Sequence, residues 1–417
     1  MIKMKKCLVI PGPFLPYNDT ITQLVYKQLR LLPLTYDVCA LTNTPDEELQ
    51  KTLLNDPNYK KFNIHYTDQY NNVLFSIKNI HIFKGLRHMK KYIDTAIQMY
   101  DHHDSVYTSS WPCYTTRVGV ALKKLHPSTT WIANFSDPIN HSPYKFDQDT
   151  YNSYHIFEKI AFKLYCKYYV VDEDEANAFT YADWLVFICE EQRDFMIEQY
   201  LKYFGTLSKE ELLKKSIIVP LNYVPEWNDL IPTETSKKNP VFTLSHFGRV
   251  YGLRIIEEFI YAVQLFIKEY PDVQFQIEQY GEFRKTDLAL IKKLNLSNYF
   301  HIHSKIPYAE CIQKMHDSDA VLLFDTILDE NTIQPYLPSK IMEYSLLNKD
   351  ILAITTSKSP SYRILKETNA IACKYDRNDI LKGLEDLLIH HKPSKINYKY
   401  TNEQAIQPLL NVIKNGE

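Results

Sequence analysis

Along the first 223 residues, short apolar runs rich in β-branched residues alternate with stretches whose apolar positions recur every three or four residues. Residues 7–10, 36–41, 105–108, 130–135, 184–189 and 217–219 read as strands. Residues 21–32, 116–125, 151–181 and 190–200 read as helices, the first capped by Asp19 or Thr20. The alternation pauses at 224–240, where three prolines and a polar cluster predict a linker. It restarts with strands at 241–246, 273–279, 300–303, 320–324 and 351–354, and helices at 255–270, 285–294, 308–316, 339–347 and 380–390. A last helical segment, within 396–417, is expected to cross back to the first domain. Strands alternating with helices build parallel sheets covered on both faces. The expected architecture is therefore α/β, with two tandem doubly wound domains, 1–223 and 241–395. Ligands of such sheets sit at the carboxyl ends of the strands, and a cleft between the two domains is the expected site.

Composition narrows the chemistry. The 417 residues carry 48 basic and 50 acidic side chains, a balance that disfavours nucleic acid as partner. Nine glycines form neither GxGxxG nor GxxxxGK[ST], which excludes the dinucleotide and P-loop fingerprints as written. Seven scattered cysteines, odd in number and without CxxC, argue against a disulfide framework and a thiolate zinc site, and point to a reducing cytoplasm. The apolar piece at residues 7–10 is too short for a secretory leader and reads as a first strand. No run approaches the roughly 18 apolar residues of a membrane span.

Two loops after strands of the second domain stand out. The first is Ser245-His246-Phe247-Gly248-Arg249-Val250-Tyr251-Gly252-Leu253-Arg254. Its glycines let backbone approach a ligand, and its two arginines can fork onto phosphate oxygens beside a helix N-terminus. The second is Pro335-Tyr336-Leu337-Pro338-Ser339-Lys340-Ile341-Met342-Glu343, where Pro338 suits a helix start and Ser339 can cap it. Glu343 falls one turn later on the same face, placed to accept two hydrogen bonds from a sugar diol. Without a ligand, the two segments read as an arginine-bearing turn and an ordinary helix.

Together they resemble the donor half of GT-B glycosyltransferases, most closely family four, the retaining nucleotide-sugar enzymes. Gly248-Arg249-Val250 with Arg254 is similar to that family's G-R-L-x-x-x-[KR]-G, with Val250 for Leu and Ile255 for the last Gly. Pro338-Ser339-Lys340, Glu343-Tyr344 and Ile351-Leu352-Ala353 are similar to its P-S-K-x-x-E-Y helix and following strand. Ser318-Asp319-Ala320-Val321, Ala182-Asp183-Trp184-Leu185-Val186 and Ile218-Val219-Pro220-Leu221-Asn222 extend the likeness across most of the chain. The resemblance implies two Rossmann-like domains and a metal-independent hexosyltransferase with a nucleotide sugar, first of all a UDP-sugar, as co-substrate and no bound cofactor. It implies that Gly248, Arg249 and Arg254 hold the diphosphate and Glu343 the ribose. It places Pro338, Ser339 and Lys340 near the phosphates and Ile302, His303 and Ile306 along the base. Pro335 stands where many members have a first glutamate that addresses the donor sugar, and the family's Gly-Gly loop after the first strand is replaced by Gly12-Pro13-Phe14.

On the acceptor side, Asp137 follows the strand at 130–135 and is expected to orient the attacking hydroxyl, with an Asx turn before Pro138 as the equal alternative. Asn18, Asp19, Ser110, Trp111 and His141 complete the acceptor candidates. The acceptor class is a glycan, lipid-linked saccharide or protein, as in bacterial-type polysaccharide or glycoconjugate synthesis. Residues 82–93 combine apolar Ile82, Phe83, Leu86, Met89 and Ile93 with five basic positions, which suits either a helix packed on its own sheet or peripheral contact with an anionic inner membrane face. Two D-x-D strings, at 147–149 and 172–174, read as solvated acidic segments rather than metal ligands. A non-catalytic GT-B partner subunit of a transferase complex is the competing reading.

Overall fold

The computed structural model describes residues 5–42, 44–69, 82–143, 155–169, 171–224, 241–367, 370–392 and 400–415. The chain divides into two compact units, Met1–Asn222 with Tyr400–Glu417, and Tyr223–Lys399. The stretch expected as a linker, beyond Val224, lies outside the described residues.

The first unit is a sheet of seven strands: β1 (Lys5–Pro13), β2 (Leu34–Thr42), β3 (Phe62–Gln69), β4 (Ser105–Ser109), β5 (Thr130–Asn134), β6 (Trp184–Phe187) and β7 (Ser216–Ile218). All are parallel, in the order β3-β2-β1-β4-β5-β6-β7. The second unit has β8 (Phe242–Phe247), β9 (Phe275–Tyr280), β10 (Phe300–His303), β11 (Ala320–Phe324), β12 (Asp350–Thr355) and β13 (Ile371–Lys374). These are also parallel, in the order β10-β9-β8-β11-β12-β13. Each is a Rossmann-like doubly wound sheet. In each, winding reverses beside the first strand, between β1 and β4 and between β8 and β11, where open sheets take their ligands.

Burial explains the strands. The all-buried runs of β4 and β11 are what a strand covered on both faces requires. In the second unit, Phe259, Ile260, Val263 and Phe266 on helix Glu257–Glu269 pack on Leu244, Ile277, Leu322 and Leu352. Each such buried side chain contributes about 1.5–3 kcal/mol relative to exposure. In the first unit Trp131 is fully buried and donates from Nε1 to Thr108 Oγ1 at 3.0 Å. Gly119 makes room for it: a Cβ there would lie 2.1 Å from the indole.

Several elements depart from expectation. The long helix at 151–181 is two helices, Ile156–Tyr168 and Asp172–Tyr181. The acidic string 172–174 thus opens the second helix, where acids complement the dipole. Asp174 is buried, not solvated, and accepts from Arg117 Nε at 2.8 and 2.9 Å. The D-x-D at 147–149 lies outside the described residues. Strands β3 and β13 and helices Glu47–Asn55 and Pro360–Glu367 were not anticipated; β3 and β13 are edge strands, short or polar enough to read as loops. The final segment forms two short helices, Asn402–Ala405 and Gln407–Asn415.

Candidate functional site

The loop after β8 is shaped by two glycines. Gly248 has φ 127° and Gly281, directly after β9, has φ 135°. A Cβ on Gly281 would lie 2.4 Å from the Gly248 carbonyl oxygen, so no side chain fits there. The Gly248 N–H donates to Tyr280 O at 2.9 Å, the Gly281 N–H to His303 O at 3.2 Å and the Val250 N–H to Glu282 O at 2.9 Å. The exits of β8, β9 and β10 are thereby laced side by side.

Below the loop, Gln279 Nε2 donates to the Gly248 carbonyl at 2.7 Å, which turns its Oε1 toward His246 Nδ1 at 2.8 Å. That amide orientation makes Nδ1 the protonated nitrogen of His246. His246 is buried, and burial, reinforced by the charges of Lys340 and Arg254, pushes its pKa down to about 3. It is a neutral support under two cations.

Those cations are the centre of the site. Lys340 Nζ lies 3.1 Å from where a Cβ on Gly248 would stand, so the missing side chain is what lets the ammonium reach the loop. Burial holds the Lys340 pKa below the ordinary lysine value; Glu343 opposes the shift and Arg254 adds to it. Arg254 stacks on Tyr251, 5.3 Å from the ring centroid, and its Nε is buried with no hydrogen-bond partner among the described residues. Arg249 stacks on the same ring at 5.6 Å, but is 65% exposed and pairs with Glu282 at 3.2 Å. The inward cations are therefore Arg254 and Lys340, with Arg249 outside them. Glu343 is half-buried one turn after Lys340 on helix Lys340–Leu346. Ser339 does not cap that helix: its backbone is already helical (φ −62°, ψ −23°) and its side chain makes no capping bond. Pro338 is half-buried and Pro335 buried.

The segment that delivers Lys340 hangs on Asp325, the residue after β11. Asp325 is buried, and burial raises its pKa. It accepts from Gln334 Nε2 at 2.7 Å, Thr355 Oγ1 at 2.9 Å and the Thr326 N–H at 2.8 Å. The Ile327 N–H donates to Leu253 O at 2.9 Å, tying this loop to the arginine loop.

At the strand ends expected to line a base, register places Phe247, Tyr280 and His303 in one row across β8, β9 and β10. Their rings stack, 5.0 Å between the first pair and 4.7 Å between the second. His303 Nε2 also pairs with Glu278. Ile302 is exposed and Ile306 half-buried.

The acceptor candidates sit at the corresponding strand ends of the first unit. Asp19 caps helix Thr20–Leu29, accepting from the Thr22 N–H at 2.7 Å, and Asn18 donates to Asp46 Oδ2 at 2.8 Å. Ser110 is buried and its Oγ accepts from the Ser136 N–H at 3.3 Å; Trp111 is half-buried. Asp137 is exposed after β5, and His141 stacks on Tyr203 at 3.6 Å. Beneath them lie buried Ser109, Asn134, Ser136 and Asn140, whose side-chain polar atoms have no hydrogen-bond partner among the described residues. Sequence reasoning named the arginines, Lys340 and Glu343. It missed Gln279, Gly281 and Asp325, and gave no role to Asn134, Ser136 or Asn140. Only Gly281 left a signal, a glycine just after a predicted strand.

No family model matches the chain, and no curated protein matches its sequence. Solved structures do. Sucrose-phosphate synthase from Thermosynechococcus elongatus superposes with a TM-score of 0.60 at 11% identity, covering 99% of this chain and 97% of that one. The Candida albicans trehalose-6-phosphate phosphatase N-terminal domain gives 0.61 at 11% identity, covering 98% and 94%. Anabaena HepE, solved in complex with UDP and glucose, gives 0.60 at 12% identity, covering 98% and 99%. The fold is GT-B. Within this GT-B chain the two inward cations lie at the winding reversal of the second sheet, where β8 and β11 meet. Among the described residues no helix is long and apolar enough to cross a membrane.

Proposed function

We propose that the protein is a retaining glycosyltransferase that transfers a hexose from a nucleotide diphosphate, in the first place UDP, to a hydroxyl of a glycan, lipid-linked saccharide or protein. The observation that carries this is Lys340, whose ammonium reaches the bare backbone of Gly248 at the end of β8, within the electrostatic reach of Arg254. A buried guanidinium nitrogen with no hydrogen-bond partner among the described residues, near a half-buried ammonium, is costly unless an anion completes it. A diphosphate supplies that anion. As the bond from the sugar to the phosphate oxygen breaks, negative charge grows on the leaving group, and cations held in place stabilise it most at that moment. Glu343 would accept from the ribose hydroxyls, and the neutral His246 keeps the floor of the site from adding a third charge. Asp137 would orient the acceptor hydroxyl. This reading needs no resident metal, so activity that survives chelation is part of it.

The test is thermal unfolding of the purified chain with UDP, GDP and UDP-sugars, with and without chelator. Ligand at about 100 times its Kd adds roughly 2.7 kcal/mol. A UDP shift that Lys340→Ala removes supports the site; no shift with any nucleotide favours the non-catalytic subunit. Because Lys340 must be protonated to hold the anion, UDP affinity should fall as pH rises through its lowered pKa. Two neighbours of the same fold, Staphylococcus aureus MnaA with UDP and a UDP-N-acetylglucosamine 2-epimerase, motivate product analysis without acceptor: an epimerised sugar would replace transfer.

A further inference from the structure

Helix Ile156–Tyr168 is built the wrong way round for a helix facing water. Ile156, Phe157 and Ile160 are 71%, 65% and 51% exposed, where an amphipathic helix turns such side chains to the core. Positions 156, 160, 163 and 167, spaced four, three and four, share one face. Its second half is Lys163 and Lys167, both exposed. The one acid of the helix, Glu158, is half-buried and folds back to accept the His155 N–H at 2.6 Å. The outer face is therefore apolar at one end and cationic at the other.

Arg117 fixes this helix beside a second basic one. Its Nη2 donates to Tyr168 O at 3.0 Å, and its Nη1 lies 3.5 Å from Met89 Sδ on helix Ile82–Gln98. On that helix Leu86, Met89 and Ile93 are half-buried, while Arg87, Lys90 and Lys91 are exposed; Asp94 is its one acid. Of the residues that suggested membrane contact in the sequence, the described apolar ones thus face inward, and the exposed apolar side chains belong to the later helix.

We propose that this face docks on an anionic lipid bilayer, with Ile156, Phe157 and Ile160 entering the boundary between headgroups and acyl chains and Lys163 and Lys167 pairing with lipid phosphates. The charge decides the occupant. A second copy would bring the same cations to the contact. Three side chains also fall well short of the about 800 Å² per partner of a stable protein interface. A bilayer needs no such area, because further cations such as Arg87, Lys90 and Lys91 add to its attraction. The proposal does not depend on the donor reading.

Flotation of the full chain with vesicles tests it. Binding is expected to phosphatidylcholine mixed with phosphatidylglycerol, not to phosphatidylcholine alone, and to weaken with salt. The triple substitution I156S, F157S and I160S should abolish flotation, with far-UV circular dichroism unchanged because all three side chains are exposed. The pair K163Q and K167Q should weaken it about thirtyfold, from roughly fivefold per cation. Absence of flotation, wild-type flotation of the triple variant, or a concentration-dependent dimer that the triple variant loses would each overturn the proposal.

Discussion

The two units share a strand order and differ in what stands at the ends of the strands. In the second, the exits of β8 and β9 are stripped to glycine, and the Lys340 ammonium reaches the bared backbone within the electrostatic field of Arg254. In the first, the exit of β1 also holds a left-handed glycine, Gly12 (φ 78°), but the atom it makes room for is Pro112 Cδ, 2.2 Å from where a Cβ would stand. Its floor is neutral: Ser109, Asn134, Ser136 and Asn140. One topology thus presents cations in one unit, and in the other an exposed carboxylate, Asp137, with a cluster of buried uncharged groups. Doubly wound topology fixes where ligands go, and the loop residues alone fix which chemistry is met there.

The sharpest way to break the contrast is Arg254→Ala. Turnover should fall about 10²–10³-fold, the cost of one lost electrostatic stabiliser, with the unfolding temperature of the free protein preserved. Turnover within threefold of wild type would remove the charged half of the comparison. Next comes Gly281→Ala, expected to destabilise by about 3 kcal/mol, because both the φ and the Gly248 carbonyl oppose a Cβ. Gly12→Ala should cost a similar amount in chemical denaturation, yet only the Gly281 variant should also weaken UDP binding. Asp325→Ala should cost about 2–3 kcal/mol by leaving Gln334 and Thr355 without their acceptor. Asp325→Asn should recover part of that, since an amide oxygen still accepts.

A further effect is in pH, and near neutrality it vanishes. His246 in the folded protein stays neutral until about pH 3, whereas the unfolded chain takes up its proton near 6.5. Its contribution to stability is intact above 6.5 and is lost as the pH falls from 6.5 towards 3. Unfolding midpoints of His246→Gln measured across that window should show a shallower acid slope than wild type; parallel slopes would mean the imidazole is not the titrating group.

The sheets were legible because hydrophobic periodicity survives in a single sequence: β1, β2, β8 and β11 were all found, and so were the loops after them. Arg254, Lys340 and Glu343 were visible for another reason, since their types and spacing repeat a known donor-site pattern. Gln279 and Asp325 were not visible, because what matters about them is the partner. Nothing near Asp325 in the chain announces that Thr355, thirty positions later, will donate to it. The split at Tyr169 was hidden for a similar reason. The notional helix at 151–181 breaks where Arg117 bonds both sides, at the Tyr168 carbonyl and at Asp174. Periodicity reports burial; it does not report which polar groups will meet.

One contact also joins the two ends of the chain. Arg30 is fully buried and donates to Asp56 Oδ2 at 3.0 Å and to Asn402 Oδ1 at 3.1 Å, while Asn402 Nδ2 donates in turn to Asn222 Oδ1 at 2.9 Å. The second unit is therefore, in chain order, an insertion within the first. On the ribosome the unit begun first is the last to be finished: until Asn402 emerges, a guanidinium in its interior lacks one acceptor, at a cost of about 1–3 kcal/mol. The first unit gains that bond only after the second has been synthesised.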